Sequence, residues 1–489
     1  MRELNYVDSI RRQVLRMVAS AFMNAGNVGK TVEEIPFEIR PKDGMHNRCC
    51  VFKDRAILRY RIMAAMGLLP DDEKDDHTPL REYAERVQER DNCFEHIERG
   101  QPRYVIASCD IACHGCVPAR YFVTNACQGC VAHPCTSACR FGAVSIVNGK
   151  SQIDIKKCRN CSKCKGACPY EAIVQISVPC EKACPVSCIK KNDTDGRAEI
   201  DLAKCTSCGR CMRACPFGAM LERSEIVDVI NQIRCERHLT ALVAPAIAGQ
   251  FQASLPKIFG ALKKLGFTEV LEVASGADLT SQHEASEFVE HLDQGRAFMT
   301  TSCCPAYMRA ARKLIPELMP FVSKTPTPMH YTAELALEKF PDTVPVFVGP
   351  CVAKRVERLR DNIVKHVLTF EELGALFEAA GIVPENCPEE ALGDGASPEG
   401  RRYAVTSGVA SAVQARVGDK LAVRPVYING LSDKQIHQLR SFAASGACPG
   451  NLVEVMACEG GCVNGGGVLA DPERSARAVD GFAKSEAAS

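Results

Sequence analysis

The stretch TSCCPAY, Thr301–Tyr307, sets two adjacent thiols ahead of a proline in a half of the chain where cysteine is otherwise sparse. Two more motifs follow it, GPCVAKRVE at Gly349–Glu357 and EVMACEGGCVNGGG at Glu454–Gly467. They lie far apart in sequence, yet together they offer four thiolates that can converge on one iron–sulfur cube. Around them the chain reads as α/β. LTALVAPAI from Leu239, EVLEVAS from Glu269, VPVFVGP from Val344 and LAVRPVYI from Leu421 are predicted strands. Helices are predicted over Leu255–Leu265 and around Glu284–Leu292. Each motif cysteine falls at a strand-to-loop or loop-to-helix junction, where backbone N–H groups are free to bond cluster sulfides.

Upstream the cysteine density rises: eighteen of the 29 cysteines lie between Cys109 and Cys215. CRNCSKCKGACPYEAI, Cys158–Ile173, repeats as CTSCGRCMRACPFGAM, Cys205–Met220, and a looser copy begins at Cys127. This is one small metal-binding unit repeated. In C-x2-C-x2-C a single tight loop supplies three ligands to a [4Fe–4S] cube, and the trailing Cys-Pro serves the neighbouring cube. On that rule Cys158, Cys161 and Cys164 pair with Cys139, and Cys127, Cys130 and Cys135 pair with Cys168. Cys205, Cys208 and Cys211 take Cys184, which precedes Pro185. Cys180, Cys188 and Cys215 are then left without an obvious fourth partner. Cys109, Cys113 and Cys116 either supply it or form a separate site. Three accessory cubes are expected, or four. A zinc site would show isolated C-x2-C pairs without the trailing Cys-Pro. His114 and His133 read as loop histidines rather than ligands, and the adjacent Cys49 and Cys50 as bystanders.

With 489 residues, 46% of them hydrophobic, the chain has room for two or three globular domains. Its 60 basic and 59 acidic residues leave a net charge of +1, which argues against nucleic acid as a partner. Met1–Met23 has six charged residues and no apolar export segment, and no run approaches the length of a membrane span. The thiols are therefore expected to be metal ligands in a reducing cytoplasm. Amphipathic helices are predicted over Val7–Met23 and Asp54–Leu69, the second ending at Pro70. Cys93, Cys235, Cys387 and Cys448 read as ordinary thiols, and Asp471–Ser489 as a frayed polar tail.

At the three C-terminal motifs, over roughly 233–467, the chain resembles the [FeFe]-hydrogenases. The resemblance implies an anaerobic, cytoplasmic enzyme that interconverts H2 with protons and electrons. Its expected cofactor is the H-cluster, a [4Fe–4S] cube joined to a di-iron unit bearing CO, cyanide and a dithiolate. It implies that Cys304, Cys351, Cys458 and Cys462 bind the cube, with Cys462 bridging to the di-iron unit. Spacing alone does not choose between Cys303 and Cys304; the family makes Cys303 the free, proton-passing thiol. Lys354 falls where a lysine hydrogen-bonds cyanide, and Met456 where a thioether packs on the di-iron unit. Glu284 and Glu287, in GADLTSQHEASEF (Gly276–Phe288), fall on relay carboxylates, and Ser323 on a relay hydroxyl. The glycines at 465–467 are expected to let backbone approach the cluster. Ferredoxin or a similar carrier is the implied electron partner, and dedicated maturases would install the di-iron unit.

The chain also departs from the commonest family pattern. Tyr307, Gly349 (where a methionine usually stands), Glu459 and the VLA after the glycines place it in a less-studied branch. Two other readings are weighed: a slow H2 sensor, which would usually append a signalling domain, and a non-enzymatic iron–sulfur assembly protein, which would lack the full relay set. The expected architecture is α+β and multidomain. A helical region spans 1–100, ferredoxin-like modules occupy 101–225 (120–175 and 176–225), and an α/β catalytic domain covers 233–489.

Overall fold

The structure, a computed structural model, describes residues 5–485 except 25, 45, 74, 76, 95–102, 114–115, 117–119, 193 and 392–394. His114 lies outside the described residues.

Two parallel sheets form the frame of the C-terminal half. One has four strands in the order Glu269–Glu272, Leu239–Val243, Val344–Gly349, His366–Thr369. The other has three, in the order Met299–Thr300, Leu452–Met456, Pro425–Asn429. Parallel strands need cover on both faces, and every residue of Leu239–Val243 and of Leu452–Met456 is buried. Their cover includes helices Leu255–Leu265, Pro328–Lys339 and Phe370–Ala379. The cysteine motifs leave the C-terminal ends of three strands, the position where open α/β sheets build their ligand sites.

Several elements differ from their sequence reading. The stretch read as EVLEVAS turns helical at Val273, and one long helix runs to Asp293, carrying Glu284 and Glu287. The stretch read as LAVRPVYI enters its sheet only at Pro425. The tail expected to fray is the helix Pro472–Ser485: Val479 and Ala483 are buried, and Ser475 accepts from Gln250 at 2.9 Å. Polar residues dominate its composition and hide this narrow apolar stripe.

The N-terminal region is helical: Tyr6–Met23, Val28–Ile39, Val51–Ala65 and Leu80–Val87. The first helix, capped by Asn5 on Asp8 N–H (3.0 Å), packs its apolar face on Phe370–Ala379. Arg11 pairs there with Glu371 at 2.5 Å.

Between these regions lie two small antiparallel units, one inside the other. The inner unit closes with Arg120–Val123 against Ile173–Ile176 and carries the hairpin Val144–Val147/Lys150–Ile153. The outer unit closes with Ile106–Ser108 against Met220–Glu222 and carries the hairpin Ile189–Lys191/Ala198–Ile200. The module placed at 176–225 from sequence thus takes its closing strand from before residue 120. Where the outer unit ends, Glu222 and Glu225 enter a buried ionic cluster. Arg355 meets Glu372 at 2.5 Å and Glu222 at 3.2 Å, and Arg358 meets Glu225 at 3.0 Å. Removing one partner from such a cluster strands a buried charge, so the helix Lys354–Asp361 is fixed to the outer unit.

Candidate functional site

Cys303, Cys304, Cys351, Cys458 and Cys462 face one cavity. Three short connections bring them there. Cys304 caps the helix Pro305–Leu314, Cys351 follows the strand Val344–Gly349, and Cys458 and Cys462 flank the turn after Leu452–Met456. In that turn Gly461 has φ +101°, and a Cβ there would sit 2.6 Å from Ala404 O, so only glycine fits. Met456 and Lys354 also line the cavity.

Gly465 and Gly466 line the cavity, and the run also stands tight against protein. A Cβ at Gly465 would lie 2.4 Å from Pro350 O, and one at Gly467 2.4 Å from Thr369 Cβ. The run locks the Cys462 turn against the Cys351 loop. A Cβ on Gly466 would lie 3.5 Å from Cys208 O, and Cys208 itself reaches the cavity wall.

The pocket is hostile to bare thiolates. Burial raises the pKa of Cys303, Cys304, Cys351 and Cys458, and pushes Cys462 up to about 12. Each keeps part of its surface open toward the cavity. Among the described residues, Lys354 is the cation that faces them: burial works against its charge, but Glu357 (2.8 and 3.0 Å) more than offsets this and raises its pKa. Glu357 is held in turn by Thr327 Oγ1 at 2.5 Å. A polynuclear cluster bound by four thiolates supplies the positive charge this donor set lacks, so the residues fit the group the resemblance implies. Among the described residues, no three metal-binding side chains converge on the position of a single ion.

Polar side chains lie behind the Cys303 wall of this cavity. Cys303 packs with Met456 and Tyr403 and feels the charge of Glu284. Glu284 is fully buried; its Oε1 accepts from Ser302 N–H at 3.2 Å, while Oε2 has no partner. Burial raises its pKa to about 8, against the opposing pull of Ser323 and Ser302. Ser323 donates to Glu287 Oε2 at 2.8 Å, and Glu287 also accepts from Thr325 Oγ1 at 2.8 Å. Ser323 and Thr325 line a separate, wider cleft that includes His330 and Asp361.

Sequence reasoning missed part of the wall. Phe347 lines the cavity, and its ring takes the space a side chain at 349 would need: a Cβ on Gly349 would be 2.3 Å from Phe347 Cε1. The two residues share a face of one strand, so the glycine at 349 and the ring at 347 compensate. Met329 and Tyr403 also line it, the latter bonded to Ser281 at 2.9 Å. Apolar residues at strand and helix ends look like core in a sequence, and nothing marks them as cavity wall.

In the inner unit, Cys139, Cys158, Cys161 and Cys164 border one small cavity, and Cys135 and Cys168 pack in the same core. In the outer unit Cys184 neighbours Cys205, Cys208 and Cys211, with Cys188 3.3 Å from Cys184. Cys180 neighbours Cys113, Cys116 and Cys215. Cys49 and Cys50 lie 3.8 Å apart, the first exposed and the second half-buried.

Comparison with known proteins agrees with this division. Residues 237–466 match the family described as iron only hydrogenase large subunit, C-terminal domain, and residues 198–221 match a 4Fe-4S binding domain. Just under half of the chain thus resembles the C-terminal domain of iron-only hydrogenase large subunits, and a short segment of the outer unit resembles a 4Fe-4S binding domain. Iron hydrogenase 1 of Clostridium pasteurianum is 27% identical over 303 residues, 50% of this chain and 53% of that protein. The periplasmic [Fe] hydrogenase large subunit of Nitratidesulfovibrio vulgaris is 30% identical over 260 residues, 43% of this chain and 62% of that one. Cytosolic iron-sulfur assembly component 3 of Pongo abelii is 27% identical over 305 residues, covering 48% and 64%. The matches thus span between half and two thirds of these relatives' own lengths. No helix among the described residues is long and apolar enough to cross a membrane.

Proposed function

We propose that this chain is an [FeFe]-hydrogenase, catalysing 2H⁺ + 2e⁻ ⇌ H2 at an H-cluster held by Cys304, Cys351, Cys458 and Cys462. Two features support the reading: a thiol-lined pocket with an ammonium, and a fifth thiol, Cys303, set near the buried Glu284, with Ser323 bonded to Glu287 at the edge of a second cleft. A cube alone would need the four thiols. It would not need Cys303 beside a buried, unpartnered Glu284 oxygen.

When bound, the H-cluster supplies the H–H bond chemistry and the two-electron redox capacity. The protein contributes binding, exclusion of water and proton transfer. Glu284, with a pKa near 8, holds a proton at neutral pH and can still release it, as a relay acid must. Cys303 carries the proton between Glu284 and the pocket. Ser323 passes it between Glu284 and Glu287, which meets solvent. Lys354, pinned by Glu357, places a fixed positive charge where anionic ligands would bind. Met456 and Phe347 keep the remaining wall apolar. Electrons arrive through the ferredoxin-like units from a soluble carrier such as ferredoxin, and the last cube before the pocket is the one that includes Cys208.

The match to cytosolic iron-sulfur assembly component 3 keeps a second reading in play, in which the chain holds cubes without a di-iron unit. An infrared spectrum of anaerobically matured protein separates them. Metal-bound CO and cyanide bands that shift on adding H2 are expected. Their absence from an iron-replete, fully matured sample overturns the hydrogenase reading.

A further inference from the structure

The spacing rule leaves Cys180 and Cys215 without a full set of partners, but the two nested units supply it. Their backbones make matching hydrogen bonds around the cysteines, with one more residue between closing strand and first cysteine in the outer unit (Cys109 to Cys113) than in the inner (Thr124 to Cys127). In the inner unit Ser151 N–H donates to Cys127 Sγ (3.5 Å); in the outer, Ala198 N–H donates to Cys113 Sγ (3.2 Å). Ser151 and Ala198 hold the same place, each two residues before an Ile-Asp pair, Ile153-Asp154 and Ile200-Asp201, that leads into the C-x2-C-x2-C loop. Asp154 N–H bonds Ala143 O at 2.7 Å, and Asp201 N–H bonds Cys188 O at 2.8 Å. At the closing strands Thr124 N–H bonds Ala172 O at 2.8 Å, and Cys109 N–H bonds Ala219 O at 2.6 Å. Cys113 therefore stands where Cys127 stands, and Cys109 where Thr124 stands.

The trailing cysteines repeat as well. Cys139, Cys184 and Cys215 each accept at 3.3 Å from the N–H four residues on, across a residue with positive φ (Gly142, Ser187, Gly218). Cys188 is the donor in one of these turns; alanine (Ala143, Ala219) fills its place in the others. It is an added thiol beside Cys184. The helices that carry the third cysteines, Pro179–Ala183 and Arg210–Ala214, pack together as Pro134–Ser137 and Lys163–Ala167 do.

We propose that Cys113, Cys116, Cys180 and Cys215 bind a fourth accessory [4Fe–4S] cluster, whose ligand set is split by the insertion of the whole inner unit between Cys116 and Cys180. The inner unit occupies the loop that, in its own copy, is only Val131–Pro134. Cys180 is electrostatically coupled to all three partners, as the juxtaposition requires. The inner unit hangs directly from this cube, which links its two cubes to the one beside the catalytic pocket. The assignment rests on the iron–sulfur relay reading and is independent of hydrogen chemistry.

The test uses full-length protein made without maturases and reconstituted anaerobically with ferrous iron and sulfide. Iron per chain and the EPR spectrum after dithionite reduction are compared across variants. The double variant Cys113→Ala/Cys116→Ala should lose about four irons and one cube's signal relative to wild type, with the remaining signals intact. Cys109→Ala and Cys188→Ala should lose none. Where the double variant does not fold, Cys116→Ala, at a partly exposed position, makes the same comparison. Iron retained in the Cys113 and Cys116 variants, or a cube lost in Cys109→Ala, overturns the assignment. Absence of CO and cyanide bands in separately matured protein would end the hydrogenase reading and leave this iron difference untouched.

Discussion

Cys161 of the inner unit is exposed, and Cys127, Cys130, Cys139 and Cys158 are only partly covered. The thiols of the Cys303–Cys462 pocket are also partly open, yet they sit amid enough protein that burial drives them toward the neutral form. Both regions use the same donor atom. On the proposed reading, what separates them is the path each would leave open: the inner unit would give a partner direct access to its cubes, whereas the pocket would admit protons only through neighbouring side chains. An electron tunnels through a thin protein layer, but a proton needs hydrogen-bonding groups in sequence. Burial is therefore tolerable at the electron end and obligatory at the chemical end.

The contrast is sharpened most by Cys303→Ala. Hydrogen turnover should fall by about 10²–10⁴-fold while iron content and infrared bands persist. Unchanged turnover would show that protons reach the pocket by another route and break the distinction. Next comes Glu357→Ala, which leaves the Lys354 ammonium buried with only Thr327 at 3.4 Å to bond. Breaking a buried pair costs about 3–5 kcal/mol, to be seen as a lowered unfolding midpoint. Glu357→Gln should recover part of that loss.

Glu284 gives a pH signature that no inner-unit residue shares. Its folded pKa, about 8, lies above its unfolded value, so the folded state binds the extra proton. The resulting stability is complete below the unfolded pKa of about 4.3 and is lost as pH rises through 8. Thermal unfolding followed from pH 5 to 9 should show a decline in wild type that flattens in Glu284→Gln. Parallel curves would sink the assignment of a protonated Glu284. The smallest effect is expected from Cys161→Ala: one cube's EPR signal is lost, while turnover with a small artificial reductant stays within about twofold of wild type. A large loss there would mean that the exposed unit also supports the pocket.

The repeated cysteine loops were legible in the sequence because their ligands are local: three donors within seven residues, Cys158–Cys164 or Cys205–Cys211, need no knowledge of topology. Cys113 and Cys116 were not, since the inner unit separates them from Cys180 and hides the C-x2-C…C-x3-C-P pattern. The parallel sheets were readable from continuous apolar runs such as Leu239–Val243. The helix Pro472–Ser485 was not, because its buried residues are few and its other faces are charged. Glu284 and Ser323 were placed by resemblance alone, since only the fold brings the helix Val273–Asp293 to the loop at 323–325. The compensation between Phe347 and Gly349 requires strand geometry and the ring's orientation, neither of which sequence supplies.

The nested arrangement also sets a schedule for making the molecule. A ribosome releases Ile106–Ser108 and Cys113 well before their partners Met220–Glu222 and Cys215 exist. The inner unit has all eight of its cysteines between Cys127 and Cys168 and can close as soon as it emerges. Its closing strands, Arg120–Val123 and Ile173–Ile176, pair side by side, so once folded it returns the chain close to where it left. The outer unit then faces a short gap instead of a long loop, which lowers the entropy cost of closure. Iron delivery should follow the same order, with the peripheral cubes loaded first and the outer unit completed last, next to the C-terminal half it must dock against.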